Sequence, residues 1–339
     1  RGDMGLLVNG KWQDRWYDTT STDGRFKRQE QAFRNWITPD GVPGPMGAGG
    51  YAAATDRYHL YVGLACPWAH RTLILRALKG LDAMLPVSVV HWYMAESGWT
   101  FTAGDGVIAD PVNDAEFLHQ VYTAADPAFT GRVTVPVLWD KATGAIVNNE
   151  SSEIIRILNS SFDELGALPG DYYPEAHRSE IDAINARVYS TLNNGVYKSG
   201  FATTQAAYEE NVYPLFETLD WLEGILRERR YLVGEDFTEA DIRLFTTLIR
   251  FDAVYVSHFK CNLRRLVDYP NLWAYTREIY QHPKIRPTVN FEHIKKHYFV
   301  SHTAVNPTGI VPAGPALDYD RAHDRSRLAG RPIGNNAPT

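Results

Sequence analysis

From Tyr58 to Val62 the chain reads Tyr-His-Leu-Tyr-Val, a short run rich in aromatic and branched residues that predicts a buried strand over 57–62. Gly63-Leu64-Ala65 turns that strand into Cys66-Pro67, after which the period changes. Leu73, Leu75, Ala77 and Leu78 fill successive turns, Pro67 suits a first helical position, and Lys79-Gly80 supplies a C-terminal cation and a C-cap. A helix is therefore predicted with Cys66 at its N-cap. Val87, Val89, Val90 and Trp92 predict a second strand over 86–93, and strand, helix, strand at this spacing implies a parallel pair joined by a right-handed crossover. Residues 94–130 break the pattern with Gly98, Gly104, Gly106 and a short helical stretch near 116–122, and are read as an insertion near a functional site. Thr134–Trp139 predicts a strand that tolerates Pro136 only at its start or edge, and Ala145–Val147 its partner after the Gly144 turn. Asn148–Ser152 then caps a helix through Ile154, Ile155, Ile157 and Leu158.

Past Pro169-Gly170 the periodicity is helical throughout. Helices are predicted over 175–192, over 208–230, from Thr238 onward and over 271–281. Thr238 and Asp241 have the spacing of a capping box. Glycine and proline clusters in residues 1–56, such as Gly41-Val42-Pro43-Gly44-Pro45, suppress helix and strand alike and predict an irregular N-terminal wrap. Residues 303–339, rich in Pro, Gly, Asn and charge, predict an extended tail that is ordered only where something ties it down. The expected division is an extended segment over 1–56, an α/β domain over 57–168 with its insertion at 94–130, an all-helical domain over 169–302, and the tail.

Composition narrows the classes of function. The 339 residues suffice for two cores, and 34 Lys and Arg against 40 Asp and Glu give a formal charge of −6. That leaves no basic excess to follow a phosphate backbone or an anionic leaflet, and no apolar run of 18 residues occurs, so neither nucleic acid nor membrane is expected as a partner. Two cysteines make no disulfide framework, which together with the lack of an apolar signal core fits a reducing, cytoplasmic setting. Aromatic residues at 12% suit an aromatic ligand and a well-packed core equally.

Cys66 is the side chain that combines nucleophilicity with a placement that activates it. A sulfur at a helix N-terminus faces free backbone N–H groups and the positive end of the helix dipole, both of which stabilise the thiolate. Cys66-Pro67-Trp68-Ala69 has Ala69 where a dithiol oxidoreductase carries its resolving cysteine. The pattern predicts monothiol chemistry, in which a mixed disulfide with a small thiol is resolved by a second, external thiol. Cys261 is read as structural. His293 and His297, at i and i+4, lack a third ligand, so local packing is the better reading and no metal is expected.

The Cys66-Pro67-Trp68-Ala69 box, Val135-Pro136, Glu150-Ser151 and the Thr238–Asp241 box, in that order, resemble a glutathione transferase, with a thioredoxin-like N-domain and an all-helical C-domain. Tyr61 to Arg71, Glu96 to Phe101, Asn193 to Phe201 and Phe251 to Tyr255 are similar to the glutathionyl-hydroquinone reductases, the Xi class of that family, and the resemblance runs from about Val8 to Tyr298. It also accounts for the N-terminal extension, the insertion and the tail.

The resemblance implies an activity: glutathione-dependent reduction of glutathionyl-hydroquinones through a Cys66–glutathione mixed disulfide. It implies Val135, before a cis Pro136, as the main-chain clamp for the cysteinyl unit of glutathione. Glu150 and Ser151 would take its γ-glutamyl end, Trp99 would pack on the tripeptide and Arg132 would pair with a carboxylate. Tyr197 and Tyr298 would bind the hydroquinone oxygens, with Tyr255 as a third candidate. Glutathione is then the co-substrate, no metal or prosthetic group is implied, and a homodimer is expected. The alternatives are an Omega-like thiol transferase or dehydroascorbate reductase sharing the nucleophile, and a noncatalytic binding module on the same fold.

Overall fold

Tyr58–Val62 (β3), buried at all five positions, is the centre of the first unit in the computed structural model, which describes residues 5–336. The first four residues of the N-terminal segment and the last three of the tail lie outside the described residues. β3 pairs in parallel with Val87–Val89 (β4) and antiparallel with Val137–Asp140 (β6), which pairs antiparallel with Ala145–Asn148 (β7), giving the order β4-β3-β6-β7. Pro67–Leu78 (α1) makes the predicted crossover, and Ser151–Ser160 (α3) packs beside it. β6 starts one residue after Pro136, as a residue without an N–H requires. This is the thioredoxin-like α/β layer.

The N-terminal segment is more regular than its glycines and prolines predict. Leu6–Val8 (β1) and Lys11–Gln13 (β2) form a hairpin across Asn9-Gly10, whose φ angles of 47° and 73° are those of a two-residue turn with both central residues left-handed. Gly131–Arg132 (β5) pairs with the other edge of β1. Residues 33–35 run along the outer edge of β7, with Asn35 N–H donating to Val147 O (2.9 Å) and Asn149 N–H to Phe33 O (3.1 Å). At the opposite edge Val89 and Ile108 exchange two main-chain bonds, so the insertion, which contains Leu118–Ala125 (α2), covers β4. Both edges of the central sheet are thus closed by the segments the sequence marks as irregular.

The second unit is helical: Arg178–Val188 (α4), Gly195–Gly200 (α5), Gln205–Glu228 (α6), Glu239–Arg250 (α7) and Pro270–Tyr280 (α8). The helix expected over 175–192 starts as a 3-10 turn and gives way to a π-helical segment at Tyr189–Asn193; a second π segment, Phe251–Tyr255, extends α7. The tail is tied down. Arg325, fully buried, donates to Leu226 O (2.5 Å), Arg229 O (2.7 Å) and Arg230 O (2.9 Å) at the end of α6, where orphan carbonyls favour a cation. Tyr231 Oη and Asn336 Nδ2 hold the tail further along.

The two units do not follow the serial division. The first comprises residues 5–17, 29–169 and 290–311, the second 18–28, 170–289 and 312–336. Residues 290–302, helical in period, belong with the α/β layer, because Phe291–Lys296 (α9) and the π-helical His297–Ser301 bond to the insertion rather than continuing the helical unit. No helix among the described residues is long and apolar enough to cross a membrane.

Candidate active site

Cys66 stands at the end of the β3–α1 turn as the N-cap of α1, half-exposed, with Pro67 at the first helical position. Its Sγ accepts the Ala69 N–H at 3.5 Å and lies 3.4 Å from Val135 O, to which the thiol donates. The N-cap contact aims the sulfur at the free N–H end of the helix. The Val135-Pro136 bond is cis, and the Val135 N–H meets no acceptor among the described residues, although the residue is buried. A main-chain donor without a partner, beside a nucleophilic sulfur, is what an extended peptide ligand would satisfy.

Glu150 and Ser151 stand at the start of α3. Glu150 is the N-cap, its Oε1 accepting Ser152 N–H (3.1 Å) and Ser152 Oγ–H (2.9 Å); Ser151, at the first helical position, is buried. Sequence reasoning passed over Arg71. It is buried under this helix start, donating from a guanidinium nitrogen to Ser151 Oγ at 3.3 Å, with Trp68 4.7 Å from its Cζ. Its signal was the Cys-Pro-Trp-Ala-His-Arg spacing, which puts position 71 a little over one turn into α1. A cation and a helix N-terminus on one spot favour an anion there.

Trp99 is buried on the insertion. A Cβ added to Gly63 would come within 3.4 Å of Val135 Cγ2 and 3.8 Å of Trp99 Cη2, so the end of β3, the Val135 turn and the indole converge. Arg132 donates to Arg15 O (2.7 Å) and Trp16 O (3.4 Å), and its guanidinium lies 4.3 Å from the Tyr17 ring centroid. Those contacts fasten the N-terminal segment. Tyr298, buried, sits in the π-helical turn after α9, in the same unit as Cys66.

The other two tyrosines belong to the second unit. Tyr197, on α5, is nearly buried, with Tyr255 6.2 Å, Phe201 5.7 Å and Phe259 5.3 Å away between ring centroids, and the Arg28 guanidinium 4.8 Å over its face. Tyr255 is fully buried and stacks on Phe259 at 5.5 Å. All three candidate tyrosines lie in or just after a π-helical segment, a distortion frequent at functional sites. His293 and His297 each bond a main-chain carbonyl, Asp105 O at 2.6 Å and Trp92 O at 2.9 Å, as local packing requires.

The glutathione S-transferase N-terminal domain family matches residues 65–161, and the glutathione S-transferase C-terminal domain family matches residues 205–278. Glutathionyl-hydroquinone reductase PcpF of Sphingobium chlorophenolicum is 62% identical over 313 residues, covering 92% of this chain and 97% of its own. Glutathionyl-hydroquinone reductase YqjG of Escherichia coli K-12 is 58% identical over 323 residues, covering 95% and 98%. Its glutathione-bound structure aligns with a TM-score of 0.88 at 55% identity, over 95% of this chain and 99% of that one. A Xi-class transferase from Natrialba magadii aligns at 0.90 with 46% identity, over 96% and 98%. A monothiol at a helix N-cap beside a cis proline, a capped α3 and relatives matched over nearly their whole length place the chain in the glutathione transferase family, in its Xi class of glutathionyl-hydroquinone reductases.

Proposed function

We propose that this chain reduces glutathionyl-hydroquinones to hydroquinones with glutathione as co-substrate. The observation that carries the reading is Cys66 Sγ at the N-cap of α1, 3.4 Å from Val135 O, with Ala69 in place of a resolving cysteine. The Cys66 thiolate attacks the glutathionyl sulfur of the thioether. In the ketonic tautomer the ring carbon that bears sulfur already carries a hydrogen; the S–S bond forms as the C–S bond breaks, and its electron pair passes through the ring to the carbonyl oxygen, which takes a proton as hydroquinone is released. A second glutathione, as thiolate, attacks the glutathione sulfur of the mixed disulfide and regenerates the Cys66 thiolate. The proton lost by that glutathione balances the one gained by the ring, so thioether plus glutathione gives hydroquinone plus glutathione disulfide.

In this reading the Val135 N–H and C=O pair with the cysteinyl unit of glutathione. The start of α3, with Ser151 and Arg71, receives the γ-glutamyl carboxylate, Glu150 its ammonium, and Trp99 packs on the tripeptide. Arg132 pairs with a carboxylate of the tripeptide beside the N-terminal segment it fastens. Tyr197 and Tyr298, with Tyr255 behind Tyr197, hold the ring oxygens and favour the ketonic tautomer whose C–S bond breaks more easily. The protein works as a homodimer in the cytoplasm, where a reduced glutathione pool supplies the resolving thiol. The test is turnover of a glutathionyl-hydroquinone with glutathione. Release of hydroquinone and glutathione disulfide in equal amounts supports the reading, whereas exchange of simple mixed disulfides without hydroquinone release would favour the Omega-like thiol transferase.

A further inference from the structure

Residues 293, 297 and 301 form a stripe along α9 and the π-helical turn after it, and all three side chains bond to the main chain of residues 92–105. His293 Nε2 pairs with Asp105 O at 2.6 Å and His297 Nδ1 with Trp92 O at 2.9 Å. Ser301 Oγ donates to the same Trp92 carbonyl at 3.4 Å and accepts the Met94 N–H at 2.9 Å. A carbonyl oxygen only accepts, so Nδ1 of His297 carries the hydrogen and the ring plane is fixed by that bond. The fixed ring lies flat on Trp99, with centroids 4.6 Å and planes 22° apart, and both side chains are buried. The next residue on the turn is Tyr298, whose ring meets the His297 ring edge-on at 5.3 Å.

We infer that His297 is a positioning residue for glutathione: it sets the plane in which Trp99 meets the tripeptide, and it fixes Trp99 and Tyr298 relative to each other. The inference rests on the reading above that Trp99 packs on glutathione. An aromatic platform contributes most to affinity when its orientation is settled before the ligand arrives, because no rotamer freedom is then lost on binding.

The test is a double-mutant cycle in the full-length protein, read as glutathione affinity by titration calorimetry and as the KM for glutathione against kcat. Trp99→Ala is expected to weaken glutathione about tenfold and His297→Asn, which keeps a donor near Nδ1 but removes the stacked ring, about fivefold. His297→Phe, which keeps a stacking ring but loses the Nδ1 bond that fixes its plane, is expected to recover affinity in part, to within about threefold of the parent, with KM moving more than kcat throughout. In the Trp99→Ala background, His297→Asn should then cost nothing further. A His297→Asn effect that persists undiminished without Trp99 would overturn the inference, as would an unchanged affinity in His297→Asn beside a weakened Trp99→Ala. An unchanged affinity in Trp99→Ala itself would instead remove the reading of Trp99 on which the inference stands.

Discussion

The helix that starts at Pro67 and the helix that starts at Glu239 both have a side-chain acceptor at the N-terminal end, and they use it oppositely. In α7 the box is closed: the Asp241 carboxylate accepts Thr238 N–H at 2.9 Å, Leu232 N–H at 3.0 Å and Tyr275 Oη–H at 2.6 Å, all fully buried. In α1 the cap is a partly exposed sulfur whose contact with Ala69 N–H is long, at 3.5 Å. The same helix-end field holds a fold together where its donors are fully matched and supports chemistry where they meet a weak, accessible acceptor. Cys261 completes the contrast. It is the same residue type, but burial pushes its thiol well above the usual range, against a hydrogen bond with Ser199 that lowers it, and the thiol also donates to Phe259 O at 3.8 Å.

Breaking each cap should therefore fail in its own way. Cys66→Ser is expected to abolish glutathionyl-hydroquinone turnover, by about a thousandfold or more, because the hydroxyl cannot form the mixed disulfide. Its urea unfolding midpoint should hold or rise slightly, since serine is a good N-cap. A parallel loss of stability would mean that Cys66 serves the fold.

Asp241→Asn should do the reverse. It leaves the Thr238 N–H facing an amide donor and is expected to lower unfolding free energy by about 2–3 kcal/mol while folded protein keeps its specific activity. Burial pushes the Asp241 carboxyl up to about 6, against the hydrogen bonds that lower it. The folded state therefore binds this proton more tightly than the unfolded state, and the group's contribution is largest in acid and declines as pH rises through about 4 to 6. The gap in stability between parent and Asp241→Asn should narrow over that window and stay level above it. A gap that widens with pH would contradict the assignment.

Tyr197→Phe is a smaller perturbation. It should lower kcat/KM for glutathionyl-hydroquinone about tenfold, while leaving the rate at which glutathione disulfide loads Cys66 unchanged, because the hydroxyl acts on the ring and not on the thiol step. Full activity would remove Tyr197 from the site. Smallest of all, Cys261→Ala should change turnover by less than about twofold, and iodoacetamide on native protein should add one label, at Cys66, by peptide mass mapping. Labelling of Cys261 without denaturant would break the contrast between the two thiols.

The strand–Cys-Pro–helix order, the strand after Pro136, the α3 cap and the Thr238–Asp241 box could all be read from the chain, because each is a local signal of period, cap or breaker. The N-terminal hairpin was also legible in principle. Val8-Asn9-Gly10-Lys11 is a two-residue turn signal, hidden only by the glycine and proline clusters that follow it. The π-helical turns were not, since an i to i+5 shift leaves apolar spacing nearly unchanged over five residues, and with them went the placement of residues 290–302. Arg71 shows a second limit. A lone arginine inside an amphipathic helix reads as surface, and its burial under Ser151 depends on α3, a helix 80 positions away.

The most direct test of the central claim is intact-mass detection of the Cys66–glutathione adduct during single turnover of a glutathionyl-hydroquinone, with a chase of free glutathione. The account predicts one glutathione on Cys66 formed as hydroquinone is released, lost on the chase as glutathione disulfide, and absent in Cys66→Ser. Hydroquinone release with no adduct, or unchanged turnover in Cys66→Ser, would contradict it.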